Sequence, residues 1–84
     1  MPPIPEVVKR YVLGRDDWKC RNCGRRDWLD PHHVTFRSRG GSNHPNNLVT
    51  LCRVCHEDIH DGRMFIEVTA LLEYDLQINF RRVS

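Results

Sequence analysis

Two C-x-x-C pairs, Cys20 with Cys23 and Cys52 with Cys55, account for all four cysteines of this 84-residue chain. A chain this short is expected to form one domain, residues 1–84. It buries little apolar surface, and small domains often need a covalent or metal staple. The spacing allows either two disulfides or one tetrahedral Zn2+ held by four thiolates. The first residues, MPPIPEVVKRY, do not read as a secretory leader, because no apolar stretch follows a basic one. No apolar run approaches the roughly 20 residues of a membrane span. The expected setting is soluble, reducing and cytoplasmic, with no membrane partner, and it favours structural zinc over disulfides.

The formal charge is +2, but zinc ligation requires thiolates, and four thiolates with one Zn2+ cancel that excess. Attraction to nucleic acid must then come from uneven charge. Residues 9 to 39 hold nine of the thirteen Lys and Arg, including Arg15, Lys19, Arg21, Arg25, Arg26, Arg37 and Arg39, against four acids, Asp16, Asp17, Asp27 and Asp30.

Residues 2 to 5 (PPIP) read as a stiff extended lead. Pro5 suits the first turn of a short helix reaching about Val12, with Val8, Tyr11 and Val12 on one face and Gly14 as its end. RDDWKCRNCG, from Arg15 to Gly24, reads as a zinc knuckle turned at Gly24. Trp18 and Trp28 are expected to act as lids over a small core, in preference to base-stacking platforms. Leu29 to Phe36 reads as a strand with a polar start, and Arg37 to Asn47 as a turn-rich loop. Leu48 to Leu51 is a second strand, and a helix runs from about Cys52 to Asp61, capped by Gly62. Alternation at Met64, Ile66 and Val68, then at Leu76, Ile78 and Phe80, suggests a hairpin. A helical turn over Thr69 to Asp75 is the alternative.

The second helix carries the informative chemistry. His56 and His60 stand four apart and share a face, so they can chelate one ion. At about 100° per residue they point roughly 90° away from Cys52 and Cys55. One helix can thus serve a thiolate site on one side and an imidazole site on the other. His32 and His33 sit on the preceding strand, where neighbours face opposite ways. One can hold a metal while the other does different work, such as taking a proton from water.

The run DPHHVTFRSRGGSNHPNNLVTLCRVCHEDIH, with CRNCG upstream, resembles the HNH endonucleases, the ββα-metal or His-Me finger nucleases, in their four-cysteine zinc-containing branch. The resemblance covers about residues 15 to 61. It implies an α+β fold: a small zinc-stapled ββα-metal unit, here with a short N-terminal helix and a C-terminal hairpin. His33 matches the general base. His32, His56 and His60 match ligands of a catalytic divalent metal. Asn47 matches the central Asn that hydrogen-bonds the loop and keeps the base oriented, although Asn46 also precedes the strand. Cys20, Cys23, Cys52 and Cys55 match the structural zinc set.

The activity implied is metal-dependent hydrolysis of DNA phosphodiester bonds, leaving 5′-phosphate and 3′-hydroxyl ends. A three-histidine site is expected to accept Mn2+, Mg2+, Ni2+, Co2+ or Zn2+, since imidazole suits the later transition metals while Mg2+ and Mn2+ prefer oxygen. Arg37 and Arg39, directly after the histidine strand, are expected to contact phosphate. His44 matches no family role, and Asp30 reads as a strand-start residue. The chain has little room for a recognition domain, so weak specificity or a recruiting protein partner is expected. A monomer should mainly nick, and a weak homodimer could cut both strands. Stand-alone relatives often occur in phage settings. Two rivals stay open: a nucleic-acid-binding zinc module without catalysis, and a structural or partner-docking zinc domain.

Overall fold

The computed structural model describes residues 3–83 and, of Arg37, the backbone alone. Pro2 and the Arg37 side chain, both part of the expectations above, lie outside the described residues. The element order is α1 (Glu6–Arg15), β1 (Leu29–His33), short 3-10 turns at Arg37–Arg39 and Pro45–Asn47, β2 (Leu48–Cys52), α2 (Arg53–His60), β3 (Met64–Leu71) and β4 (Leu76–Arg82). This is an α+β architecture with two antiparallel two-stranded sheets, β1-β2 and β3-β4.

Helix α1 starts after Pro5, whose carbonyl accepts from the Val8 and Lys9 N–H groups at 3.0 Å. It buries Val12 and Leu13, while Tyr11, expected on the packed face, stays exposed. Gly14 does not end the helix. The chain runs through it to Arg15 and reverses at Asp17, φ 61°. Trp18 N–H donates to the Leu13 carbonyl at 2.8 Å and Asp17 N–H to that of Gly14 at 3.1 Å. That pair is a Schellman closure with an Asp in the left-handed position, a conformation Asp tolerates better than most residues. Helix α2 closes the same way, with Gly62 (φ 75°) in the place expected for it: Arg63 N–H reaches the Asp58 carbonyl at 2.9 Å and Gly62 N–H that of Ile59 at 3.1 Å.

Strand β2 is buried at every position. On one side it pairs with β1 in the register Leu29↔Cys52 to His33↔Leu48. On the other, Arg21 N–H donates to the Thr50 carbonyl at 3.0 Å, and Thr50 N–H donates to Asp16 Oδ2 at 2.9 Å. Covering both edges satisfies the backbone of this apolar strand without water. Strand β1 stops at His33 instead of running to Phe36. Val34 N–H goes to the Asn47 carbonyl at 2.8 Å, and the Asn47 side chain takes over both backbone groups of Thr35.

The expected hairpin forms as β3 and β4, with a bulge between Val68 and Ala70. The strand continues through Thr69, so the alternative helical turn does not occur. Asp58 on α2, almost buried, anchors the hairpin through Arg82 at 3.0 Å and Arg63 at 3.5 Å. The core joins Val49, Leu51, Met64 and Leu76 to Cys20, Cys52 and Cys55, with Ile59, Ile66, Ile78 and Phe80 packed against it. Three of the four cysteines are therefore core residues as well as ligand candidates. No helix of the described residues is long and apolar enough to cross a membrane.

The basic N-terminal half is mostly ion-paired. The Arg15 side chain is nearly buried, bonded to both Asp16 carboxylate oxygens (2.9 and 3.0 Å) and to the carbonyls of Pro45, Leu48 and Tyr74. Arg21 pairs with Asp75 at 3.0 Å. Arg15 ties α1, and Arg21 the first cysteine turn, to the hairpin turn, so neither is free for phosphate. Trp18 and Trp28 are 53% and 69% exposed, so neither is a lid over the core.

Candidate metal centre and histidine cleft

The four cysteine sulfurs all lie within 4.8 Å of one another, and Cys23 Sγ stands 3.6 Å from Cys52 Sγ. Tetrahedral Zn–S bonds of about 2.3 Å would separate the sulfurs by roughly 3.8 Å, whereas a disulfide needs about 2.05 Å. All four are free thiols. Cys52 also caps α2, its Sγ accepting from Cys55 N–H at 3.5 Å, so the helix start and the ligand turn are one feature. Asn22 Nδ2 donates to Cys55 Sγ at 3.4 Å.

Charge argues the same way. Burial opposes ionisation of Cys20, but the backbone N–H groups of Cys23, Cys52 and Asn22 outweigh it and lower the thiol to about 7. Burial pushes Cys55 up to about 12. Four thiolates cannot share this space without a cation at its centre, which is what a Zn2+ supplies.

On the neighbouring side of α2, His56 and His60 meet His32 from β1. The ring centroids are 4.9 Å apart for His32 and His56, and 4.8 Å for His56 and His60. With Pro31, His33 and Phe36 they line one cleft of about 210 Å³. Phe36 stacks on His60 at 6.4 Å and meets His32 edge-on at 6.1 Å. Among the described residues only the cysteine quartet draws its ligand atoms tightly together. His32 is buried, and burial, followed by the nearby His56, His60 and His33, lowers it to about 4. Burial and His60 also lower His56. Both rings are thereby kept neutral near pH 7, with a lone pair to offer a cation.

His33 is half-buried, and its Nε2 stands 2.7 Å from Asn43 Oδ1. Asn43 carried no expectation from sequence, because one more Asn in a loop rich in Asn, Ser and Gly has no distinguishing mark. Among the described residues Asn47 makes no side-chain hydrogen bond to His33. It accepts from Thr35 N–H at 2.8 Å and donates to the carbonyls of Thr35 (3.1 Å) and Ser42 (2.9 Å), spanning the base of the loop. Asn46 turns instead to the Leu72 carbonyl, to which its Nδ2 donates at 3.2 Å.

A Cβ at Gly41 would collide with the Thr35 carbonyl oxygen, so the loop can fold this closely only with glycine there. His44 caps the second 3-10 turn, its Nδ1 accepting from Asn46 N–H at 3.1 Å, and stacks on Tyr74. Asp30 pairs with Lys9 at 3.6 Å, a surface role. Arg39 is exposed and makes no ion pair among the described residues.

The HNH endonuclease family model matches residues 20–62. The Type IV methyl-directed restriction enzyme EcoKMcrA of Escherichia coli (strain K12) is 31% identical over 75 residues, covering 79% of this chain and 27% of that enzyme. Anaredoxin of Nostoc sp. (strain PCC 7120 / SAG 25.82 / UTEX 2576) is 29% identical over 62 residues, covering 73% of this chain and 82% of that protein. No solved structure matches. Since the matched segment spans about half the chain and takes in the cysteine quartet, the loop and the helix carrying His56 and His60, the chain belongs to the HNH endonuclease family.

Proposed function

We propose that this chain hydrolyses DNA phosphodiester bonds, with His33 as general base, a divalent ion on His32, His56 and His60, and a Zn2+ on the four cysteines. The observation that carries the reading is the cleft shared by four imidazoles, three of them adjoining in a row (His32 edge-on to His56, His56 tilted against His60) and the fourth held separately by an amide.

With Asn43 Oδ1 accepting, the His33 proton sits on Nε2, and Nδ1 keeps the lone pair that takes a proton from water. Asn47 fixes the loop that presents Asn43, so it acts on His33 through the loop backbone. His32 and His56 stay neutral and present nitrogen lone pairs to the cleft. Bound there, a divalent cation supplies neutralisation of charge on the scissile phosphate and the leaving oxygen. Arg39 and Arg37 are proposed to grip flanking phosphates, which positions the strand without reading bases. One such site cuts one strand, so the expected product is nicked DNA with weak sequence preference.

Supercoiled plasmid, incubated with Mn2+, Mg2+, Ni2+ or Co2+ and then with EDTA, tests the proposal. Metal-dependent nicking that is lost in His33→Ala with an unchanged circular dichroism spectrum is the expected result. Full activity in that folded variant would overturn the base assignment. A zinc module that binds DNA without cutting is the second reading, favoured by the tight convergence of the cysteines alone. It predicts no nicking with any of these ions.

A further inference from the structure

Trp28 adopts φ 55°, a left-handed conformation that bulky residues rarely occupy, and is 69% exposed. Trp28 walls a cleft of about 430 Å³ whose other walls include Leu51, Arg53 and His56. His56 also walls the histidine cleft, so the two clefts adjoin across one imidazole. The acids bordering the Trp28 cleft are already paired, Asp30 with Lys9 at 3.6 Å and Glu57 with Arg53 at 3.2 Å, so they oppose an anionic strand less than free carboxylates would.

We propose that the Trp28 cleft takes an unstacked nucleobase flanking the scissile phosphate, with the indole as its stacking face. The proposal rests on reading the histidine cleft as the phosphodiester site. A base hangs directly from the sugar next to its phosphate, so a phosphate beside His56 delivers its neighbouring base to the adjoining cleft. In a paired duplex both faces of that base are covered by the stack. An indole reaches a face only when the base is unpaired, and it then accepts any base. The preferred substrate class is therefore DNA that is single-stranded or locally unpaired at the cut. Trp18 is the internal control: it is exposed to a similar degree and also left-handed, φ 51°, but borders neither cleft.

The test measures binding without added divalent ion, so that cutting does not enter. In the Trp18→Phe protein Trp28 is the sole tryptophan. Its emission should be quenched by a short oligothymidylate and much less by a duplex of equal length. By fluorescence anisotropy of a labelled oligothymidylate, Trp28→Ala should weaken binding roughly 5- to 100-fold, Trp28→Phe far less and Trp18→Ala not at all. Should Trp28→Ala fold poorly, Trp28→Gly frees the left-handed backbone, should melt at or above the wild type, and should still lose the affinity. Wild-type affinity in Trp28→Ala or Trp28→Gly, equal losses in the Trp18 and Trp28 variants, or saturation without quenching would overturn the base cleft even if plasmid nicking persists. Quenching without any nicking would instead overturn the nuclease reading and leave the base cleft standing.

Discussion

Asn43 Oδ1 lies 2.7 Å from His33 Nε2, whereas the Asn47 side chain hydrogen-bonds the loop backbone at Thr35 and Ser42. The direct hold on the proposed base thus comes from Asn43, four positions before Asn47, the residue expected from sequence to orient it. Asn43→Ala should lower the nicking rate roughly 10- to 100-fold, the usual cost of losing a group that orients an imidazole, with the fold intact. Asn47→Ala should instead loosen the 34–47 loop and lower thermal stability as well. Single-turnover nicking beside thermal melts separates the two, and equal melting losses would refute the distinction.

Removing a cysteine should abolish folding. Structural Zn2+ contributes about 10–16 kcal/mol in small zinc peptides, comparable to the entire 5–15 kcal/mol stability of an ordinary domain. Cys20→Ala and Cys55→Ala should therefore be unfolded or insoluble, while His56→Ala should melt normally and fail to nick. Elemental analysis should find zinc in His56→Ala as in the wild type. Cysteine variants with normal melts would contradict this division.

His32 should resist protonation. Burial, followed by the neighbouring His56, His60 and His33, pushes it down to about 4, against 6.5 for an unperturbed imidazole. Between those values the unfolded chain binds more protons than the native one, so this residue's contribution to stability falls as pH falls across that window, by roughly 3 kcal/mol. The His32 Cε1–H resonance, recorded without added divalent ion, should stay flat between about pH 7.5 and 5.5. A midpoint near 6.5 would show the ring to be solvated and the site to be more open than described.

Arg15 should matter for stability far more than its surface neighbours. Its side chain is 9% exposed and meets Asp16 at 2.9 Å. Breaking such a pair from one side costs about 3–5 kcal/mol, because the partner charge stays buried. Arg15→Met should lower the chemical-denaturation midpoint accordingly. Arg25→Met, which removes a half-exposed pair with Asp27 at 3.7 Å, should change stability by less than about 1 kcal/mol.

Arg39 should act on DNA and not on the fold. A phosphate contact releases counterions, so Arg39→Ala should weaken binding across all sequences and lower the slope of log affinity against log salt by about 1. An unchanged slope would leave Arg39 as a solvated loop residue.

The sequence by itself determined the chemistry that is local. Cysteine spacing specified the ligand turns, and the four-residue step between His56 and His60 put both on one helical face. Gly62 marked the end of α2, and period-two alternation gave the final hairpin. Each rests on geometry repeated within a few residues, which a string of letters carries directly.

What only the tertiary structure decided depends on contacts between distant segments. Asn43 could be singled out from its loop neighbours only once the loop folded back over β1 onto His33. Gly14 lost the cap to Asp17 because the reversal brings Asp16 under Thr50 and Arg15 onto the carbonyls of Pro45 and Leu48. The same pairing took Arg15 and Arg21 out of the basic surface, and it left Trp18 and Trp28 in solvent, since the core they were expected to cover is closed by the hairpin instead. Burial and long-range pairing are properties of the assembled chain, and composition records neither.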